Sequence, residues 1–250
     1  MNIFCCKQFS VSQDGVAMRV NTDGMLLGAW APLPKHADTH RVLDIGTGSG
    51  IIALMLAQRL SADAPPSPFI VDALEPHPSS AQAARLNFRA SPWADHLHVF
   101  SCSLQDYTSP HSRYDHQVLY DLITSNPPYF EDSLPPPDHL RVLARHAISL
   151  PPVVLLKCVS HLLLKDGLFC IILPKMQQES FCQKALEAGL FLRHETTIYS
   201  VAHRPPKRVL MSFAKKEAPL QNDTLAILDE DGKSYTPEYK NLTKDFYLAF

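Results

Sequence analysis

The 250-residue sequence contains no Cys-x-x-Cys pair among its six cysteines, Cys5, Cys6, Cys102, Cys158, Cys170 and Cys182. That excludes a zinc ribbon and a dithiol redox motif, and no metal is expected. Several of the cysteines lie inside apolar runs, where cysteine acts as a small hydrophobe; reduced thiols fit a cytoplasmic protein. An excess of one charge is also missing: 23 Lys and Arg face 25 Asp and Glu, for a formal net charge of −2. A uniformly basic nucleic-acid binder is therefore excluded, whereas a local basic face is not. Gly, Lys or Pro interrupts every apolar stretch well short of the roughly 18 residues that a transmembrane helix needs. The opening "MNIFCCKQFSV" lacks the basic-then-apolar layout of a secretory signal. There is no internal repeat. The proline-rich stretches at 62–68 and 134–138 are short and read as loops.

What is present is enough apolar residue, 46% of the chain, for one large α/β domain. Alternation around Asp14-Gly15 in 7–20 predicts a hairpin. Strand patterns fall at 41–46, 69–76, 96–101, 120–126, 167–174, 190–199 and 208–215. Between them, helical patterns occupy 50–60, 78–91 (behind a serine cap candidate), 153–167 (stopped by Gly167) and about 176–189, with a terminal helix in 237–250. This alternation predicts a mostly parallel seven-stranded sheet with helices on both faces, residues 41–250, preceded by a segment 1–40. In such sheets ligands bind beyond the carboxyl ends of the strands.

Two motifs fall at such ends. "LDIGTGSGI" (43–51) places Gly46, Gly48 and Gly50 directly after a strand. Glycines there permit positive φ and close approach of a ligand to the backbone. The spacing fits neither the dinucleotide fingerprint nor a P-loop. Asp44 can serve a cationic ligand, and Glu75, at the end of the second strand, can take a ribose diol. A lone Glu is more often a solvated loop carboxylate; the glycine loop makes it part of a nucleoside site. The second motif is "SNPPYF" (125–130), a stiff device that holds an amide and an aromatic ring at fixed positions.

With "LDIGTGSG", "ALEP" and "NPPY", the sequence resembles the class I S-adenosylmethionine-dependent methyltransferases. "TDGMLLGAWAP" (22–32), "IIALMLAQR" (51–59), "SPWAD" (91–95) and the ending "FYLAF" narrow the resemblance to enzymes that methylate N6 of adenine 37, beside the anticodon of a valine tRNA. It runs over nearly the whole chain. It implies a Rossmann-like class I fold, S-adenosylmethionine as cofactor and a tRNA substrate, with no membrane partner and a monomer as the expectation. Asn126 and the Pro127 carbonyl would accept the two N–H groups of the target amine, and Tyr129, helped by Phe130, would stack on the base. Thr22 and Asp23 would line the cofactor. Ser103 stands where the family usually carries an Asp toward the cofactor's adenine, with Asp106 three residues on. Arg145 and His146 are candidates to face the substrate, although a histidine such as His146 is more often an exposed helix residue or a satisfied core side chain. For phosphate contact the candidates are Arg204, Lys207 and Arg208 in "HRPPKRVL", with Lys7 and Arg19 behind them. The same motif logic also serves a protein-glutamine methyltransferase or a guanine-N2 rRNA methyltransferase; a non-catalytic RNA-binding subunit that keeps the fold is a further reading, against which the intact glycine loop and Asn126 argue.

Overall fold

The computed structural model describes residues 2–34, 39–62, 67–114, 118–128 and 150–250. Strands β1 (Ile3–Cys5) and β2 (Ser10–Ser12) form a small antiparallel ribbon that leads into α1 (Thr22–Trp30). The chain then alternates: β3 (His40–Ile45), α2 (Ile51–Ser61), β4 (Phe69–Leu74), α3 (Pro78–Arg89), β5 (Leu97–Phe100), α4 (Leu104–Thr108) and β6 (Tyr120–Ser125). It continues through α5 (Pro152–Leu162), β7 (Leu163–Pro174), α6 (Gln178–Glu187), β8 (Phe191–Val201), β9 (Arg208–Ala214), β10 (Gln221–Leu228) and α7 (Pro237–Thr243).

The main sheet has the order β10-β8-β9-β7-β6-β3-β4-β5. All neighbours are parallel except β9, which runs antiparallel between β7 and β8. Strand order runs outward in both directions from β3. The carboxyl ends of β3 and β6 therefore flank a topological switch point, where such sheets bind ligands. Buried parallel strands present alternate residues to opposite faces. Val42, Val71, Leu122 and Cys170 join one core with α1, α2 and α7; Leu43, Ile123, Phe169 and Ile171 join the other with α4, α5 and α6.

Four expectations need correction. The sheet has eight strands, not seven. The extra one, β10, opens with exposed polar "QND" and betrays itself only by pairing with β8. The N-terminal hairpin turns at Cys6–Phe9 rather than at Asp14-Gly15, because Cys6, Phe9 and Val11 bury themselves in the core. The helix expected over 153–167 ends at Leu162. Gly167 is not its stop but an interior residue of β7, where a Cβ would meet the Tyr120 carbonyl at 2.8 Å and that of Asp121 at 3.0 Å. The cap of α3 is His77 followed by Pro78, with no side-chain cap bond. Among the described residues no helix is long and apolar enough to cross a membrane, and no cluster of three or more His, Cys, Asp or Glu is placed to hold a metal.

Candidate active site

The loop between β3 and α2 is a chain of tight turns. Gly46, Gly48 and Gly50 take φ of +72°, +57° and +86°. The Gly46 and Thr47 N–H groups both donate to the Leu74 carbonyl, at 2.9 and 3.0 Å, which ties the loop to β4. The three glycines differ in their surroundings. A Cβ on Gly46 or Gly48 would meet nothing within 4 Å, whereas one on Gly50 would stand 2.5 Å from the Phe88 ring. The first two thus leave a cradle open to a ligand, and the third lets α2 pack on α3.

Asp44 lies beneath this loop with no exposed surface. It accepts from Thr47 Oγ1 at 2.6 Å and from Thr124 Oγ1 at 2.9 Å. Burial pushes its pKa up to about 6, against the lowering effect of those two hydroxyls, and the Glu75 charge pushes the same way as burial. Its carboxylate binds the loop to β6. Glu75 is also buried, and grips the loop from β4: Oε2 accepts from the Gly48 N–H and Oε1 from the His77 N–H, both at 2.9 Å. Each of its oxygens keeps a second lone pair for a ribose hydroxyl.

Ser103 caps α4, with Oγ accepting from the Asp106 N–H at 3.0 Å and donating to Asp106 Oδ2 at 2.7 Å. It lines a cleft of about 410 Å³ together with Gly46, Leu74, Pro76, Cys102, Pro127 and Pro128. That size and the mixture of apolar wall with few polar groups suit a small-molecule site.

Asn126 and Pro127 leave the end of β6, whose last two side chains are pinned to β3: Thr124 on Asp44, and Ser125 Oγ on the Ile45 carbonyl at 3.1 Å. Asn126 is half-buried beneath the first turn of α1. A Cβ on Gly24 would lie 3.8 Å from Asn126 Nδ2 and 3.6 Å from Ile51 Cγ2. Thr22 and Asp23 open that turn, which Asn21 caps by accepting from the Gly24 N–H at 3.0 Å. Asp23 forms an ion pair with Arg208, Nε to Oδ2 at 2.9 Å. Arg204 and Lys207 are exposed in the β8–β9 turn, on the carboxyl edge of β7 where Pro174 pairs with Arg208. Lys7 donates to the Phe250 carbonyl. Tyr129, Phe130, Arg145, His146 and the loop at 134–138 lie outside the described residues.

Sequence reasoning missed two supports. Thr124 carries only a hydroxyl in a strand pattern. Asn87, 4% exposed on α3, accepts from the Ser12 N–H at 2.9 Å and donates to the carbonyls of Ser12 at 3.0 Å and Ser49 at 2.9 Å. A polar residue on the buried side of a helical pattern was its one available signal.

The fold has counterparts among solved structures. A protein from Agrobacterium tumefaciens described as an O-methyltransferase superposes over 90% of this chain and 96% of its own, with a TM-score of 0.61 at 17% identity. One from Listeria monocytogenes, described as a class I S-adenosylmethionine-dependent methyltransferase, covers 90% and 69%, with a TM-score of 0.55 at 8% identity. These likenesses establish the class I methyltransferase fold. No protein-family model matches the chain. Its sequence relatives are more specific. The tRNA1(Val) (adenine(37)-N6)-methyltransferase of Trichodesmium erythraeum is 41% identical over 252 residues, covering 100% of this chain and 99% of the relative. The protein of the same name from Pectobacterium carotovorum is 39% identical over 245 residues, covering 98% and 93%. The chain belongs to this family of tRNA1(Val) (adenine(37)-N6)-methyltransferases.

Proposed function

We propose that the protein transfers the methyl group of S-adenosylmethionine to the exocyclic N6 of adenine 37 in tRNA1(Val). The observation that carries the reading is that Asn126-Pro127 stands at the end of β6, beside the glycine loop of β3, across the switch point of the sheet. The open cradle at Gly46 and Gly48, the ribose-competent Glu75 and the cleft ending at Ser103 fit a nucleoside cofactor. Bound there, S-adenosylmethionine would supply an electrophilic methyl group on a sulfonium, its S–CH3 bond breaking to leave the neutral thioether S-adenosylhomocysteine, so no enzyme nucleophile is needed. Asp44 acts one step back, by fixing the loop through Thr47.

An exocyclic adenine amine is a poor nucleophile because its lone pair is conjugated with the ring. Asn126 Oδ1 accepts one N–H and the Pro127 carbonyl the other, which favours a pyramidal nitrogen with its lone pair free. Proline fixes its own φ and restricts Asn126 before it, so both acceptors are set before the base arrives. The amine proton becomes acidic as the new N–C bond forms and passes to water. Tyr129 stacks on the base, and exposed Arg204 and Lys207 meet phosphates of the anticodon loop. The enzyme works in the cytoplasm. The names of the relatives favour tRNA over the rRNA, protein-glutamine and binding-subunit readings.

The test uses methyl-labelled S-adenosylmethionine and tRNA from a strain lacking the gene, digested to nucleosides. Label is expected in N6-methyladenosine of tRNA1(Val); label in rRNA or protein instead, or nowhere, overturns the reading. Asn126→Ala is expected to abolish transfer while the protein stays folded.

A further inference from the structure

We propose that Arg208 is a positioning residue for methyl transfer: by its ion pair with Asp23 it fixes the first turn of α1 against Asn126. This deepens the reaction proposed above and rests on it. Arg208 opens β9, paired with Pro174 at the carboxyl edge of β7. Its Nη1 donates to the Lys207 carbonyl at 3.0 Å, and that same carbonyl accepts from the Lys175 N–H at 3.1 Å. The guanidinium is therefore aimed from backbone that is itself tied to the end of β7. From there Nε reaches Asp23 Oδ2 at 2.9 Å, with the two side chains 27% and 14% exposed. A charge-assisted bond so far withdrawn from water is stronger than a neutral one and little screened by salt.

Asp23 is the second residue of α1. The next residue, Gly24, faces Asn126 and Ile51 together: a Cβ there would stand 3.8 Å from Asn126 Nδ2 and 3.6 Å from Ile51 Cγ2. One turn of helix thus lies beside both halves of the site, the acceptor amide and the helix that follows the glycine loop. The Asn21 cap holds this turn from within α1, and Arg208 holds it from the sheet. Loosening the turn frees the Asn126 amide to rotate, and its carbonyl loses the direction needed to accept the amine proton. A phosphate-binding arginine acts on tRNA affinity; a positioning arginine acts on turnover.

The experiment compares wild-type protein with Arg208→Lys, Arg208→Ala, Asp23→Asn and the double variant D23N/R208A, using unmodified tRNA1(Val) and S-adenosylmethionine. Each single variant is expected to lower kcat about ten- to a hundredfold, as small misplacements do. KM for tRNA and its salt dependence should stay within about twofold of wild type. The double variant should lose less than the product of the two single losses, because the changes share the contact between Asp23 and Arg208. A raised KM with a salt slope reduced by about one and an unchanged kcat would make Arg208 a phosphate contact instead. Losses that multiply in the double variant would also overturn the proposal. A second readout does not depend on the RNA. Amide exchange in Thr22–Trp30 should quicken in Arg208→Ala and Arg208→Lys while Ile3–Ser12 stays unchanged. Unaltered exchange there overturns the latch whatever the substrate. A wild type that methylates no tRNA overturns the reaction but leaves this readout to decide the latch.

Discussion

Asp44 holds a carboxyl group out of water on two threonine hydroxyls. With a pKa of about 6 when folded, against about 3.9 when unfolded, the native state binds the extra proton between those values. The native state holds more protons than the unfolded one in that window, so stability falls as pH rises through it. Relative to Asp44→Asn, the wild type should lose about 2 kcal/mol of unfolding free energy between pH 4 and pH 7. Denaturant titrations at the two pH values test this, and a constant difference would mean that Asp44 titrates as an ordinary carboxylate. The glycines divide in the same way between fold and site. Gly50→Ala meets both a left-handed backbone and the Phe88 ring and should cost more than about 2 kcal/mol of stability. Gly48→Ala should cost about 1 kcal/mol, by the backbone alone, yet weaken binding of S-adenosylhomocysteine at least about tenfold. Thermal melts and calorimetric titration separate the two. All three glycines were legible in the sequence as a loop. Their division of labour was not, because it depends on Phe88, 38 positions further along the chain.

Single elements show where pattern reading succeeds. The strands at the switch point, β3 and β6, are short apolar runs ending in distinctive loops, and their positions could be read directly. The start of β7 could not, because "LLKDG" continues an apolar helical pattern and then offers a glycine where helices stop. Pairing with β6 overrides that local preference, and the register shift between Tyr120 and Leu122 brings the backbones together at Gly167. Gly167→Ala should therefore destabilise the protein by about 1–3 kcal/mol through displaced β6 backbone, whereas Ala at an ordinary helix stop would cost less. The β8–β9 turn carries the electrostatic counterpart. Arg204→Ala and Lys207→Ala should each lower the salt slope of tRNA binding by about one, with kcat at saturating tRNA unchanged. Filter binding across a salt series is the check, and unchanged slopes would remove both residues from the interface.

Across the whole molecule, the early and late parts of the sequence share one core. Phe246, 1% exposed, sits in the same cluster as Phe9, Val11 and α2, and its carbonyl accepts from the Lys7 N–H at 3.0 Å. Phe246→Ala should cost about 3–5 kcal/mol and lower the melting temperature of the molecule as one cooperative unit rather than loosen an appendage. The expectation of a terminal helix caught the "FYLAF" ending as structured, but the helix stops at Thr243 and the burial comes from turns beyond it. Asn87 carries a consequence for the assembled protein. The Ser12 N–H and C=O point away from β1, and one side-chain amide meets both, as the peptide group of an adjoining strand would. A single residue of α3 thereby stands in for a missing third strand. The ribbon is closed to a strand from another molecule at that point, so Asn87 guards against edge-to-edge association while its bond to the Ser49 carbonyl steadies the glycine loop.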